Sequence, residues 1–412
     1  EGPLERYRLT LRVYHLPPVT HTTTHKGRSV ERYRANVYTL AILEPDTILN
    51  ITDLNQAEYC ARQYLLNRLA PSGSSTAALR GNLVHHCFKE LLKEQDRGRS
   101  TASNEEPLSI LHRHLDHELT RARLDLALLD TSAETMRSEV APHLESLTNW
   151  FNQQRTTLWD LPVDDAEAAD GAAHSEQMVR AETFLLAPEI GLRGRLDLLW
   201  QQGGRRRLLE LKTGGASGEL PRSAHKWQVQ GYHALLTVRR ESRMKKALAT
   251  LLYSGTPRQA QDFGIPFTVR QLQAVNATRN LLVLSHATGV PPAPPGVSRC
   301  SKCAMQDQCS QVSTLLGWQP PELLQPDHEN AQMDVQRTPS NNKRTTVLEL
   351  SDLTLEDRAF FATYYQLLQQ EGYEIEKQQA LLWHTSVGER VARGSTISDL
   401  VPLGEPVSTG QG

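Results

Sequence analysis

The sequence predicts an α/β protein in which short strands alternate with amphipathic helices. Alternating apolar and polar residues, the pattern of a half-buried strand, occur from Gly191 to Gly214, and a second β-like run lies at 247–253. Around these runs, apolar residues recur at helical spacing, for example at 52–69, 80–92 and 269–286. Strands interleaved with helices are typical of a sheet covered by helices.

The composition is that of an ordinary soluble protein, with 39% hydrophobic and 22% charged residues among 412. A net charge of -2 predicts no general attraction to nucleic acid, so binding would depend on local basic patches such as Arg205–Arg207 or Arg239–Lys246. For each patch alone, ordinary surface charge is the more frequent explanation. No apolar run reaches the roughly 18 residues of a membrane span, and we expect no membrane partner.

Residues 1–45 contain strand-like runs around a loop rich in threonine and histidine, which predicts a small, mostly β N-terminal element. His15, His21 and His25 lack the spacing of a metal site, so we expect them to be surface residues. Residues 97–175 are partly helical, with a loop of low complexity at 162–173, and contain no recognisable chemical motif.

Two helices are predicted between residues 52 and 92, and each carries a cysteine. The first begins at Thr52–Asp53, where either side chain can cap free amides, and contains Cys60. In the second, Gly81 and His85 are four residues apart and share one face, so the glycine leaves room for a ligand or metal beside the imidazole. A half-buried histidine bonded to the backbone is the more frequent alternative for a lone residue. Cys87 belongs to the apolar stripe of this helix.

The segment from Gly191 to Gly214 predicts a tight hairpin with Gly203-Gly204 as its turn. A two-residue turn pairs positions whose numbers sum to 407. One apolar face then contains Leu196, Leu198, Leu209 and Leu211, and the other places Asp197 opposite Glu210 and Arg195 opposite Lys212.

Opposed side chains lie roughly 5 Å apart at Cβ, and two opposed carboxylates are destabilising unless a cation lies between them. Carboxylate oxygens suit Mg²⁺ or Mn²⁺. A solvated hairpin face is an equally good interpretation of this hairpin alone.

The helix after the hairpin places His225, Gln228 and Tyr232 on one face, since they are spaced i, i+3 and i+7. These polar groups fit either a surface or a site. A strand at 247–253 and a helix at 269–286 are predicted to follow.

Three of the five cysteines are spaced C-x₂-C-x₅-C at Cys300, Cys303 and Cys309. Three close thiolates need a fourth ligand to complete a tetrahedral or cubane site. Cys60 is the natural candidate because Cys87 already fits a core stripe. Spacing leaves zinc and an iron-sulfur cluster both open, and either would tie together two distant parts of the chain.

The predicted domains are a β element at 1–45, a main domain at 46–318, a linker at 319–343 and a C-terminal part at 344–412. The C-terminal part contains a long helix, roughly Leu355 to Trp383, capped by Thr354, and then the start of a β element. No phosphate-binding G-x-x-x-x-G-K-[ST] motif occurs in these residues. The chain begins with Glu1, so we expect a processed or truncated form.

Taken together and in order, four motifs resemble the RecB-type branch of the PD-(D/E)xK nuclease superfamily. They are G-x-x-x-H (Gly81, His85), G-R-x-D (Gly194, Asp197), E-x-K (Glu210, Lys212) and Q-x-x-x-Y (Gln228, Tyr232). One cysteine upstream and three downstream resemble its iron-sulfur subgroup, which includes the DNA replication ATP-dependent helicase/nuclease family. The resemblance covers residues 46 to 312, and the C-terminal part more weakly resembles the region before the helicase motor. It implies a restriction-endonuclease-like mixed sheet flanked by helices and closed by an iron-sulfur cluster.

The resemblance also implies roles for individual residues. His85, Asp197 and Glu210 would bind Mg²⁺ or Mn²⁺, Lys212 would orient or activate the attacking water, and Gln228 and Tyr232 would position the site or the DNA strand. Cys60, Cys300, Cys303 and Cys309 would hold a [4Fe-4S] cluster. Hydrolysis of a phosphodiester agrees with this set, because it needs a metal ion and a cation that offsets developing charge.

The expected function is cleavage of single-stranded DNA at ends or flaps, by the nuclease part of a nuclease-helicase in replication, repair or defence. Its partners would be single-stranded DNA and a helicase, either in the same chain or separate. The expected location is the cytoplasm, at the nucleoid, or the nucleus of a eukaryote. The alternative is a DNA-binding or strand-guiding module of a helicase, with little nuclease activity of its own.

Overall fold

The computed structural model describes residues 9–17, 21–25, 27–69, 74–98, 105–159, 178–202, 205–238, 248–255, 259–318 and 353–398. Four sequence features lie outside these ranges: the Gly203-Gly204 turn, the loop at 162–173, the linker at 319–343 and the basic patch at Arg239–Lys246. The start of the expected final β element is described only to residue 398.

The described strands are β1 (Leu11–Tyr14), β2 (His21–His25), β3 (Arg28–Arg32), β4 (Leu40–Leu43), β5 (Leu49–Asn50), β6 (Met178–Ala187), β7 (Leu192–Gln202), β8 (Arg205–Lys212), β9 (Leu248–Tyr253) and β10 (Gln261–Ile265). The described helices are α1 (Ile51–Cys60), α2 (Arg62–Leu69), α3 (Thr76–Gly98), α4 (Pro107–Arg121), α5 (Arg123–Leu128), α6 (Ala133–Trp159), α7 (Ser223–Val238), α8 (Val269–Thr288), α9 (Val297–Cys300), α10 (Gln306–Leu316), α11 (Leu355–His384) and α12 (Val387–Ala392). The helix expected at 52–69 is thus two helices, which meet at Ala61.

The central sheet has six strands and is mixed, since β8 and β9 run parallel whereas β7 pairs antiparallel with both β6 and β8. One buried apolar cluster includes residues of α1, α2, α7 and α8, and a second includes residues of α3, α4 and α6. Both clusters also contain sheet residues. The prediction of an α/β protein with a mixed sheet flanked by helices is confirmed. In the described part of the chain, no helix is long and apolar enough to cross a membrane.

Strand β7 changes its neighbour along one edge. Its first residues, Leu192 and Arg193, pair in parallel with β5, whereas 198–202 pair with β8. Strand β6 occupies the opposite edge along nearly the whole of β7. Residues 194–197 of β7 therefore lie between the end of the pairing with β5 and the start of the pairing with β8. We call this stretch the fork of β7, and Asp197 is its last residue.

The fork corrects one prediction about the hairpin. Leu198, Leu209 and Leu211 pack in the second cluster as expected, but Leu196 packs in the first. A strict alternation of faces requires a regular ladder, and the ladder between β6 and β7 is interrupted here: Glu182 of β6, at the level of Asp197, has a φ of 52°. Such a backbone conformation is uncommon for a residue with a side chain.

Helix α11 makes polar contacts with the segment after β4 and with α2. The Glu44 carboxylate, with the residue only 1% exposed, accepts a hydrogen bond from the Tyr373 hydroxyl and lies 3.2 Å from Lys377 Nζ. Arg68 Nη2 lies 2.9 Å from Glu376 Oε1. These contacts join α11 to the segment after β4 and to α2.

Candidate functional site

The carboxylate of Asp197 lies at the fork of β7, where it takes the place of a backbone carbonyl as the hydrogen-bond acceptor for β8. The predicted hairpin register is observed from Leu198–Leu209 to Gln202–Arg205. Beyond it, the Leu211 backbone N–H donates to Asp197 Oδ2 at 2.7 Å. One more regular pair would have put Asp197 directly opposite Glu210, whereas the fork fixes its carboxylate by a backbone hydrogen bond.

Glu210 is the most buried charged group of the site, with 2% of its surface exposed. Its Oε1 accepts hydrogen bonds from Lys212 Nζ at 2.8 Å and from Gln228 Nε2 at 2.6 Å. Its Oε2 is buried and has no hydrogen-bond partner among the described residues. Burial, with the nearby charge of Asp197, raises the pKa of Glu210 to about 7.

Gln228 links the lysine to the carboxylate. Its Oε1 accepts from Lys212 Nζ at 2.8 Å, and its Nε2 lies 3.4 Å from the hydroxyl of Tyr232. The Tyr232 hydroxyl donates to the backbone oxygen of Arg195 at 2.5 Å. Helix α7 therefore joins the two strands of the hairpin by side chains one turn apart.

His85 reaches the site from α3, on the other side of the sheet. Its Nδ1 lies 3.2 Å from Asp197 Oδ1. Burial lowers the pKa of His85, but the charge of Asp197 and its hydrogen bond outweigh burial, so the pKa is raised. A Cβ at Gly81 would meet Thr213 Oγ1 at 3.6 Å, an ordinary contact, so the expected space beside the imidazole is not enforced there.

The structure thus brings together all six predicted residues of this centre: His85, Asp197, Glu210, Lys212, Gln228 and Tyr232. His225, predicted on the same helical face as Gln228, instead lies with Nδ1 2.9 Å from the hydroxyl of Tyr253. Sequence analysis missed Asn55, whose Nδ2 lies 3.4 Å from Gln228 Oε1. The sequence offered one indication of its role, namely that Asn55 lies in the predicted helix that also contains Cys60.

Four cysteines line one pocket between α1, α9 and α10. They are Cys60, Cys300, Cys303 and Cys309. Burial raises the pKa of both Cys60 and Cys300, and the charges of neighbouring thiolates add to the effect of burial. Cys87 is fully buried in the second apolar cluster, as its place in the apolar stripe predicted. A positive centre in the pocket would relieve the repulsion among thiolates.

Neither constellation is arranged as a finished metal site. Among the described residues, no group of three or more His, Cys, Asp or Glu side chains is placed so that it could hold a metal ion. In the hairpin centre, the side chains instead pair with one another. The chemistry of the donors nevertheless fits a hard cation, because two carboxylates and an imidazole converge and Glu210 Oε2 has no hydrogen-bond partner among the described residues.

Comparison with known proteins gives one match to a protein family. Residues 19–202, less than half of the chain, match the family described as DNA replication factor Dna2. No curated protein matches the chain. Among solved structures, the crystal structure of SSO0001 shares 14% identity over 62% of this chain and 93% of its own length, with a TM-score of 0.23. Residues 19–202 are therefore similar to DNA replication factor Dna2.

Proposed function

We propose that this chain is a metal-dependent nuclease that hydrolyses phosphodiester bonds of single-stranded DNA, at ends or flaps. The observation that carries the proposal is Glu210, a buried carboxylate with one oxygen held by Lys212 and Gln228 and the other without a partner in the described residues. A buried charge with an open oxygen is costly unless a cation or substrate group completes it.

The metal ion would be Mg²⁺ or Mn²⁺, held by His85, Asp197 and Glu210. Carboxylate oxygens from two strands and a nitrogen from α3 would supply three ligands, and water or phosphate oxygens would complete the coordination. When bound, such an ion polarises a phosphoryl oxygen and makes a bound water more acidic.

Lys212 would orient the attacking water and offset negative charge that develops on the phosphate. Its ammonium group is held 2.8 Å from both Glu210 Oε1 and Gln228 Oε1, so it is oriented before substrate binds. Gln228 fixes the lysine, and Tyr232 ties α7 to the backbone of Arg195. Orientation in advance is what makes such groups effective, since little rearrangement remains for the reaction itself.

The four-cysteine pocket would hold a [4Fe-4S] cluster with a structural role. Cys60 ends α1, while the three other ligands lie about α9 and α10, some 240 residues later in the chain. A cluster on these thiolates would close residues 46–318 into one nuclease domain. The linker at 319–343 and the part at 344–412 would connect this domain to a helicase, in the same chain or as a partner.

The test is cleavage of a labelled single strand by purified protein with Mn²⁺ or Mg²⁺. We expect cleavage that stops with a chelator and with Asp197→Ala. The matched control is Asp262→Ala, which removes an exposed carboxylate from β10 of the same sheet. An intact strand with the unchanged protein, or equal cleavage by Asp197→Ala, would overturn the proposal. Binding of the strand without cleavage would favour the strand-guiding module instead.

A further inference from the structure

We propose that Asn55 is a positioning residue of the nuclease centre and acts by holding the side-chain amide of Gln228. The inference rests on the proposed function and extends it to a residue outside the four motifs. Asn55 lies on α1, and its Nδ2 is 3.4 Å from Gln228 Oε1. The side chain is half-buried, and its Oδ1 is buried with no hydrogen-bond partner among the described residues.

The orientation of the Gln228 amide matters because its two ends face opposite charges. The carbonyl oxygen accepts from the Lys212 ammonium, and the amino group donates to the Glu210 carboxylate. A rotation by 180° would point the amino group at the ammonium and the oxygen at the carboxylate, and both contacts would become repulsive. Donation from Asn55 Nδ2 to the same oxygen favours the observed orientation.

Contacts before and after Asn55 along α1 hold this helix in place. At its start, Ile51 fills the space over two glycines: a Cβ at Gly194 would lie 3.1 Å from Ile51 Cγ1, and a Cβ at Gly231 would lie 2.8 Å from Ile51 Cδ1. After Asn55, the Ser223 hydroxyl at the start of α7 donates to Glu58 Oε1 at 2.9 Å. Helix α1 is therefore fixed against both β7 and α7, which gives a weak hydrogen bond a defined direction.

The experiment compares Asn55→Ala, Asn55→Asp and the control Asn67→Ala. Asn67 is a suitable control because its Nδ2 also donates to a glutamine, Gln56 Oε1 at 2.8 Å, but on the surface. Kinetics with Mn²⁺ and a labelled single strand give kcat and KM, and thermal unfolding checks each fold. For Asn55→Ala we expect kcat to fall about 2- to 10-fold, the range of one neutral hydrogen bond, with KM unchanged.

Asn55→Asp separates positioning from packing. Aspartate has nearly the shape of asparagine, so a role in packing alone predicts a milder effect than alanine has. A carboxylate beside Gln228 Oε1 instead favours the reversed amide, so positioning predicts a larger loss of kcat than alanine causes.

A double-mutant cycle with Gln228→Ala gives the decisive result. If Asn55 acts through Gln228, then Asn55→Ala has little further effect in the Gln228→Ala background. Additive effects, a change in KM alone, or a milder effect of aspartate than of alanine would each overturn the inference. If the protein without substitutions does not cleave the strand at all, the proposed function itself is overturned, and this inference with it.

Discussion

Gln228 Nε2 lies 2.6 Å from Glu210 Oε1, and the same oxygen accepts from Lys212 Nζ at 2.8 Å. One oxygen of this buried carboxylate thus takes two donors, while Oε2 takes none among the described residues. The asymmetry leaves one oxygen open on a group whose pKa burial and Asp197 raise to about 7.

The first prediction concerns the pH dependence of metal binding. Because the pKa of metal-free Glu210 is raised to about 7, the carboxyl is protonated below that pH, and a metal ion must displace the proton. The Mn²⁺ affinity should therefore fall as the pH decreases below 7, by about tenfold per pH unit for each proton displaced, and the raised pKa of His85 adds a second proton to that of Glu210. Calorimetric titration between pH 5.5 and 8 measures this dependence. Glu210→Gln should bind Mn²⁺ weakly at every pH, and a pH-independent affinity of the unchanged protein would contradict the prediction.

The second prediction separates Lys212 from the proposed ligands. Lys212→Ala should lower kcat by about 100-fold, the effect of one oriented donor to a transition state, while Mn²⁺ still binds. Single-turnover cleavage and Mn²⁺ titration of the same protein give both quantities. Lys226→Ala, on α7 near the site, removes a lysine that is not part of the proposed centre and should leave kcat unchanged. Loss of Mn²⁺ binding in Lys212→Ala would show that the lysine organises the ligands instead.

The hairpin was predictable because its information is local. A tight turn fixes the register of the strands beside it, so Leu198 could be paired with Leu209 from the sequence. The residues Glu210, Gln228 and Tyr232 follow within one hairpin and one helix, and side-chain spacing places them on one side of the sheet.

The fork of β7 was not predictable, since it depends on distant residues. Leu49 and Asn50 pair with the start of β7 although they precede it by more than 140 positions. This short ladder and the irregular backbone at Glu182 place Leu196 in a different cluster from Leu198, against simple alternation. Asn55 is hidden for the same reason, because its contact with Gln228 spans 173 positions.

The third prediction concerns the cysteine pocket. Protein purified without oxygen should be brown and contain iron, and Cys60→Ser should lose much of both the visible absorption and the iron. Cys87→Ser is the matched control, because Cys87 is a buried thiol in the other apolar cluster and should not affect the iron content. Zinc in place of iron in the unchanged protein would contradict the cluster but leave the pocket as a metal site.

The fourth prediction concerns the attachment of α11. Burial would raise the pKa of Glu44, but contacts with Tyr373, Thr10 and Lys377 outweigh it and lower the pKa. A lowered pKa means that Glu44 contributes stability above its unfolded pKa, and that this stability is lost as the pH falls through the folded pKa.

Glu44→Gln should therefore reduce the free energy of unfolding at pH 7 by about 1–3 kcal/mol, since a charged hydrogen-bond acceptor is removed. Chemical denaturation at pH 7 measures the change. Glu356→Gln, an exposed glutamate at the start of the same helix, is the control and should change it little. Equal effects of the two substitutions would show that the Glu44 contact does not hold α11 in place.

The last prediction concerns stability in acid and rests on His233. Both ring nitrogens of His233 are buried without a hydrogen-bond partner in the described part of the chain, and the ring lies 5.2 Å from that of Phe267. Burial lowers the pKa of His233 to about 4. The unfolded chain therefore binds a proton near pH 6.5 that the folded protein does not bind until about pH 4, so stability falls as the pH decreases across this window.

His233→Leu removes the titrating group and should flatten this part of the pH dependence. Relative to the unchanged protein, the variant should gain up to about 3 kcal/mol of unfolding free energy between pH 7 and pH 4. Denaturation at several pH values gives the two slopes. The control, His117→Leu, changes an exposed histidine, because the His117 side chain is 68% exposed. The prediction is contradicted if His233→Leu and the unchanged protein lose unfolding free energy equally as the pH falls. The imidazole would then be hydrated or paired in solution, because only a buried neutral ring makes the two pH dependences differ.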